Sequence, residues 1–398
     1  MKKIIIIIIS ILLLLLVVSC TKDEKLTTEP DIVAFYSVSY ADSTLTWKTD
    51  LSSRSIIQYS TDSGFLNHTA YSIDAETTNH SIKFLDLTSS TTYYYRIKHR
   101  REDTISYSNV WKFNSGTVTP STDLLKIVYI DVKNGDSELI ITPSGENIII
   151  DGGYGSYGYD TWNGGGQTLT LNYLNSEGIT HIHYMILTHP HADHIGGLAD
   201  ILNAGGGNTF TVDNIYDNMI SHTSNAYIDF LSGVSDHTEA NYIFPALGST
   251  ISLSGGDFVM KLIHSKDNMS SSETGHYLND CSLTYHLVYK NFTAIFSGDA
   301  ETVAIDKMIQ YYPNDLRSTV YKVGHHGSYN GTTRAFLSKL KAVACYIPCG
   351  ANNPYGHPHD QALTQLADYH IDIYRADENG TVKLITDGVN TFTMIREK

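Results

Sequence analysis

The stretch Thr188-His189-Pro190-His191-Ala192-Asp193-His194-Ile195-Gly196-Gly197 decides the fold. It follows the apolar run Tyr184-Met185-Ile186-Leu187, which reads as a buried strand. Four metal-competent side chains fall within the six residues from His189 to His194. His189 and His191 are two apart, so an extended loop projects them the same way. Asp193 and His194 are adjacent and point elsewhere, so one loop can feed two cations. Neutral imidazole and carboxylate are the donors that borderline divalent ions prefer. Gly196-Gly197 then opens a helix. A merely solvated His-rich turn requires neither the strand before it nor the helix entry after it.

Two further stretches follow in order. Ile295-Phe296-Ser297-Gly298-Asp299 is an apolar strand ending in Gly-Asp, and Tyr321-Lys322-Val323-Gly324-His325-His326-Gly327-Ser328 carries a histidine pair. Together with the HxHxDH string they resemble the signature of the metallo-β-lactamase superfamily. That resemblance implies an α/β fold, the αββα sandwich, and a hydrolase holding two divalent metal ions, zinc expected and manganese compatible. It implies His189, His191, Asp193, His194, Asp299 and His326 as ligands, with Asp299 bridging. One of His325 and His326 binds the second metal and the other meets substrate. His276, after Gly275, is a candidate third histidine for the first metal. A metal-bridged hydroxide is the implied nucleophile, oriented by Asp193. His325 or His357 is placed to donate a hydrogen bond or a proton to developing charge. Asp131, Asp136, Asp151 and Asn279 are expected behind the ligands, orienting them; for Asp136 turn geometry is an equal alternative. His264 reads as a strand-end residue near the surface.

The resemblance narrows to the ComEC-like group of competence-protein hydrolase domains. Asp131-Val132-Lys133-Asn134-Gly135-Asp136-Ser137 is similar to its DVGQGD-type opening, with Lys133-Asn134 a departure. Ile150-Asp151-Gly152-Gly153, Asn279-Asp280-Cys281-Ser282-Leu283, Asn353-Pro354-Tyr355-Gly356-His357-Pro358 and Asp377-Glu378-Asn379-Gly380-Thr381 match later motifs in register. The similarity runs from about 125 to 390. The membrane channel of competence proteins has no counterpart in it, so DNA uptake itself is not implied.

Texture divides the chain. Residues 1–19 read as a lipoprotein signal peptide: Lys2-Lys3, an apolar run from Ile4 to Val18 interrupted by Ser10, then Ser19-Cys20. The run is short for a membrane span. Val17-Val18-Ser19-Cys20 resembles the bacterial lipobox, which implies lipidation of Cys20 and a membrane-anchored, extracytoplasmic lipoprotein, at the outer membrane. Thr21-Lys22-Asp23-Glu24-Lys25 resembles the surface-export tag of some Gram-negative lipoproteins, and equally reads as a solvated tether. Residues 20–29 are that tether. Residues 30–116 show short alternating strands, such as Leu45-Thr46-Trp47-Lys48, Ile56-Ile57-Gln58-Tyr59 and Tyr93-Tyr94-Tyr95-Arg96-Ile97-Lys98, which indicate a β-sandwich. Phe84 to Ile97 resembles the late-strand pattern of fibronectin type III domains, with Trp47 at the core tryptophan position. Residues 117–123 form a linker. The α/β hydrolase domain occupies 124–398, with helices near Leu169 to Glu177, Ala300 to Tyr311 and Thr333 to Leu340. The Gly/Tyr/Asn-rich segment from Gly152 to Gly166 reads as a loop beside the site.

Composition bounds the function. The chain has 398 residues, 41% hydrophobic and 17% charged, enough for two packed domains rather than a disordered chain. Its formal net charge of −15 disfavours a broad nucleic-acid-binding surface. It leaves room for a phosphoester substrate, because bound cations supply local positive charge. With Cys20 assigned to the lipobox, Cys281, Cys345 and Cys349 remain, an odd number without CxxC pairing, so no disulfide framework is indicated. Gly164-Gly165-Gly166 lacks the Lys and Ser/Thr of a phosphate loop. The expected activity is a phosphodiesterase or phosphoesterase acting on an extracellular or periplasmic substrate. The alternatives are a lactone, ester or β-lactam hydrolase on the same site, and a surface-binding lipoprotein without catalysis. Oligomeric state is not legible.

Overall fold

The computed structural model describes residues 35–398, except 65, 74–75, 102–103, 205–209 and 254–256. The signal peptide, Cys20, the tether and residues 30–34 lie outside the described residues. From residue 124 onward, two sheets pack face to face with helices on both outer sides. The first half-sheet runs Asn241–Ile243, Thr211–Asp217, His181–Leu187, Asn147–Ile150, Glu138–Ile141, Leu125–Tyr129, Val382–Thr386 and Thr391–Arg396. The second sheet runs Thr250–Ser252, Phe258–His264, Thr284–Tyr289, Phe292–Phe296, Val320–Lys322, Ala344–Ile347 and Asp372–Arg375.

Side-chain pattern explains the layers. Asn147-Ile148-Ile149-Ile150 is buried along its whole length, as a strand covered on both faces must be. Ile148 and Ile150 face the inter-sheet core with Ile127, Tyr129, Leu262, Leu287 and Phe296, while Ile149 faces the helix layer. Helix Ala192–Leu202 closes that layer with Ile195, Leu198 and Ile201. Helices Thr302–Tyr311 and Arg334–Leu340 cover the second sheet with Ile305, Met308, Phe336 and Leu337. This is an α/β fold of the αββα type. The segment expected as a plain loop, Gly152 to Gly166, contains two short 3-10 turns, Gly155–Tyr157 and Thr161–Asn163.

The N-terminal module has its own core of Leu45, Trp47, Tyr59, Phe84, Tyr93 and Ile97. The Tyr93 hydroxyl accepts the Thr88 N–H at 3.0 Å, a tyrosine corner of the kind found in immunoglobulin-like sandwiches. The linker is not the only tie between the modules. His68–Ser72 pairs antiparallel with Thr391–Arg396, so one sheet of 13 strands runs through both. That pairing covers what would be an exposed sheet edge. Across the junction Asp372 takes Lys98 Nζ at 2.6 Å, the Tyr71 hydroxyl at 2.9 Å, and the Arg100 guanidinium. Periodicity reports alternation within a strand, not the identity of its neighbour, so this fusion was invisible in the sequence. Cys281, Cys345 and Cys349 are buried free thiols.

Candidate metal centre

The site forms where strands of both sheets end. Strand His181–Leu187 delivers His189 and His191, and Asn147–Ile150 delivers Asp151. Phe292–Phe296 delivers Asp299, and Val320–Lys322 delivers the histidine pair. Loops beyond the carboxyl ends of strands are where open α/β sheets build their sites. Close backbone approach is needed here. A Cβ on Gly197 would run into the Gly152 carbonyl, and one on Gly196 into that of Tyr154, so the glycines let helix Ala192–Leu202 lie on the Gly152 turn.

Two groups of ligand-type atoms share Asp299. The first is His189, His191 and Asp299; the second is His194, Asp299 and His326, with Asp136 nearby. His189 Nε2 lies 3.0 Å from His191 Nδ1 and 3.8 Å from Asp299 Oδ2. His194 Nε2 is 3.2 Å from Asp299 Oδ1. His326 Nε2 is 3.1 Å from Asp193 Oδ2 and 3.5 Å from Asp299 Oδ2. The structure thus brings together all of His189, His191, Asp193, His194, Asp299 and His326.

The atoms behind these ligands set their tautomers. His194 Nδ1 donates to Asp151 Oδ2 at 2.7 Å, and Asp151 also accepts the Thr188 N–H and hydroxyl at 2.8 and 2.6 Å. His326 Nδ1 donates to the Pro348 carbonyl at 2.9 Å. Each imidazole therefore turns its Nε2 inward. His194 Nε2 and Asp299 Oδ1 are buried without a hydrogen-bond partner, which fits a site built for cations. Asp136 is close enough to belong to the second group, but the buried Lys322 Nζ already pairs with it, and donates to the Gly298 carbonyl at 2.8 Å. We place Asp136 behind the ligands for that reason. Asn279 Nδ2 donates to Glu301 Oε1 at 2.9 Å and lies 3.5 Å from His325 Nε2.

Charge in the cluster is balanced internally. Burial drives His189 and His191 toward the neutral form, in keeping with ligand imidazoles. Burial also opposes protonation of His194 and His326, yet Asp299 and its neighbouring carboxylates outweigh it, and His326 is pushed up to about 9. Burial works against the charged form of Asp299, but the imidazoliums of His194, His326 and His325 hold its carboxyl well below the usual range. Protons thus stand where divalent cations would compensate the same carboxylates.

The histidine pair splits by backbone geometry. His325 and His326 adopt left-handed φ values of 45° and 52°, a conformation that costs a non-glycine residue energy and gathers at functional sites. Successive imidazoles consequently diverge. His326 points to Asp193 and Asp299, while His325 Nδ1 pairs with Glu301 Oε1 at 2.8 Å. His325 Nε2 remains 3.9 Å from Asp299 Oδ2. His357 packs against both rings, and burial followed by its cationic neighbours lowers it to about 3.

Three expected residues lie elsewhere. The His276 side chain is 59% exposed, and its nearest charged partner is Glu301 Oε1 at 3.7 Å, so it does not join a ligand group. The short helix Tyr277–Asp280 turns it outward. Asp131 caps its own turn at Lys133 N–H and pairs with Lys133 and Lys398, away from the ligand histidines. His264 is fully buried rather than near the surface, with Nε2 donating to the Asp280 carbonyl at 2.6 Å. Glu301, Lys322, Tyr154 and His222, whose ring sits 6.0 Å from that of His191, were not singled out by sequence. Glu301 stands two residues after Asp299, and Lys322 ends an apolar strand four before His326; those positions were the available signals.

Residues 134–350 match the model of the metallo-beta-lactamase superfamily. ComE operon protein 3 of Bacillus subtilis (strain 168) is 27% identical over 279 residues, covering 67% of this chain and 34% of that protein. Competence protein ComA of Neisseria gonorrhoeae is 21% identical over 217 residues, covering 54% and 27%. The match thus spans about a quarter to a third of the length of the curated relatives. Among solved structures, the metallo-beta-lactamase fold protein YhfI from Bacillus subtilis aligns with a TM-score of 0.40 at 12% identity, over 64% of this chain and 98% of that one. A diphosphatase of the PhnP family aligns with 0.38 at 15% identity, over 69% and 99%. With its matching region spanning more than half the chain and its ligand-type residues gathered at the strand ends, the protein belongs to the metallo-β-lactamase superfamily.

Proposed function

We propose that the protein is an extracytoplasmic, lipid-anchored phosphodiesterase. The observation that carries the reading is the pair of ligand groups sharing Asp299, with the His325–Glu301 pair facing the shared carboxylate. One cation would be held by His189, His191 and Asp299, and the other by Asp193, His194, Asp299 and His326. When bound, the two cations supply Lewis acidity to a water and to the scissile oxygen.

The chain's own residues do the rest. Asp151 fixes the His194 proton on Nδ1, and the Pro348 carbonyl fixes that of His326. Glu301 Oε1 stands 2.8 Å from His325 Nδ1 and orients the ring, whose Nε2 faces the shared Asp299 as the group placed to assist a departing alkoxide. Lys322 Nζ contacts Asp136 and braces the Gly298 turn that carries Asp299. The superfamily membership supports hydrolysis, and the signal sequence with Cys20 supports export and anchoring. Among the described residues no helix is long and apolar enough to cross a membrane. The tyrosine corner and buried Trp47 support a fibronectin type III-like module that spaces the hydrolase from the anchor.

Purified, metal-loaded protein is expected to hydrolyse bis-p-nitrophenyl phosphate and to stop on chelation. Turnover of nitrocefin or a lactone in its place would move the assignment to carbonyl hydrolysis. Undetectable metal in folded protein would leave a binding lipoprotein.

A further inference from the structure

A chain of aromatic rings leads outward from the ligand cluster. His357 lies 5.3 Å from His325 and 6.2 Å from His326, centroid to centroid. Tyr355 stacks on His357 at 5.7 Å. Trp162 meets Tyr355 edge-on at 5.7 Å and 85°, and meets Tyr154 at 5.9 Å and 87°. Tyr154 returns to the cluster through its backbone: its carbonyl packs on Gly196, in the helix that carries Asp193. Asp193 in turn contacts His326. Rings from two separate loops therefore border one side of the centre.

These loops are fixed in place. The Asn134 N–H donates to the Trp162 carbonyl at 3.0 Å, and a Cβ on Gly350 would collide with that same carbonyl. Tyr355 is nevertheless 55% exposed, and Trp162 and Tyr154 are only partly buried. Aromatic surface left open beside a reaction centre marks a binding surface rather than core. None of these side chains bears a permanent positive charge, so a phosphate or carboxylate gains little from them. Their faces suit a flat group, which stacks regardless of its hydrogen-bonding pattern. A formal net charge of −15 further disfavours an extended polyanion as the occupant.

We propose that Tyr154, Trp162, Tyr355 and His357 form a subsite for a flat, uncharged ring carried on the ester, adjoining the metal ligands. This rests on the phosphodiesterase reading and names the chemistry of its substrate. The ring is the specificity element and the phosphoryl group the reacting one.

Phenylphosphonate and methylphosphonate, anions differing in the ring, test this on the full-length, metal-loaded protein. Trp162 fluorescence reports binding, with Trp47 and Trp111 as a constant background from the N-terminal module. Phenylphosphonate is expected to bind roughly 5- to 150-fold more tightly, the range of one ring–aromatic stack. Tyr355→Ala, at an exposed position, is expected to remove most of that ratio. Trp162→Ala, followed by calorimetry, is expected to do the same. Equal affinities, or a preference surviving both variants, would overturn the subsite. Ring preference without hydrolysis of any phosphodiester would sink the reaction and keep the subsite. Hydrolysis without ring preference would do the reverse.

Discussion

Glu301→Gln is the sharpest test of the catalytic arrangement. Glu301 is buried and its two oxygens serve His325 Nδ1 at 2.8 Å, Asn279 Nδ2 at 2.9 Å and Asn330 Nδ2. Glutamine keeps the shape but has one acceptor oxygen. If that oxygen takes the Oε1 position it keeps both His325 and Asn279, but the new amide faces the Asn330 amide, donor against donor. If it turns the other way, the new amide faces the Asn279 amide and His325 loses the carboxylate that orients it. Removing the group that orients a functional histidine typically costs about 10- to 100-fold in activity. That loss matters only where the leaving group needs a proton. Diphenyl phosphate is therefore expected to lose roughly 10- to 100-fold in kcat, and bis-p-nitrophenyl phosphate, whose leaving group departs unaided, less than tenfold. Metal stoichiometry is expected to stay unchanged, because His326 is held separately by the Pro348 carbonyl. Equal losses on both esters, or loss of metal, would refute His325 as proton donor and Glu301 as its positioning residue.

Asp151→Asn leaves the Thr188 contacts nearly isosteric but removes the charge behind His194. Metal affinity, measured by chelator competition, is expected to fall about 10- to 100-fold; an unaltered affinity would mean that Asp151 only shapes the turn. Asp372→Ala strands Lys98 and Arg100 at the module junction. Truncating one partner of a buried pair costs about 3–5 kcal/mol, so urea melts are expected to show a lower midpoint, and a change below about 1 kcal/mol would show the junction to be held by the sheet alone. His264 is held neutral in the fold, its pKa lowered to about 4 from 6.5 by burial, against the opposing Asp280 carbonyl. The unfolded chain then binds the extra proton first as pH falls. The His264 contribution to stability is therefore complete above about pH 6.5 and is lost between there and about pH 4, roughly 2 kcal/mol by pH 5. His264→Leu is expected to flatten that limb of a stability–pH profile; a slope unchanged by the substitution would assign the acid loss to other groups.

The sequence by itself determined the chemistry and its order along the chain. Donor types, their spacing within Thr188 to Gly197, and apolar runs placed just before Asp299 and the His325 turn are local properties. A strand must end where its apolar run ends, and side chains just beyond it project from the sheet edge. The helices Leu169–Ser176, Thr302–Tyr311 and Arg334–Leu340 followed from local periodicity in the same way.

Tertiary structure alone decided who faces whom. The divergence of His325 and His326 depends on two left-handed residues wedged between packed glycines, which no propensity announces. Glu301 became the partner of His325, and Lys322 that of Asp136 186 positions away, because strands distant in sequence close over the same point. His276 turned away and His264 turned inward for the same reason: burial is set by the neighbouring strand and helix, not by the residue's own segment. The junction at Thr391–Arg396 is the clearest case, since hydrogen-bonding edges are alike in every strand and only the folded chain selects which two of them meet.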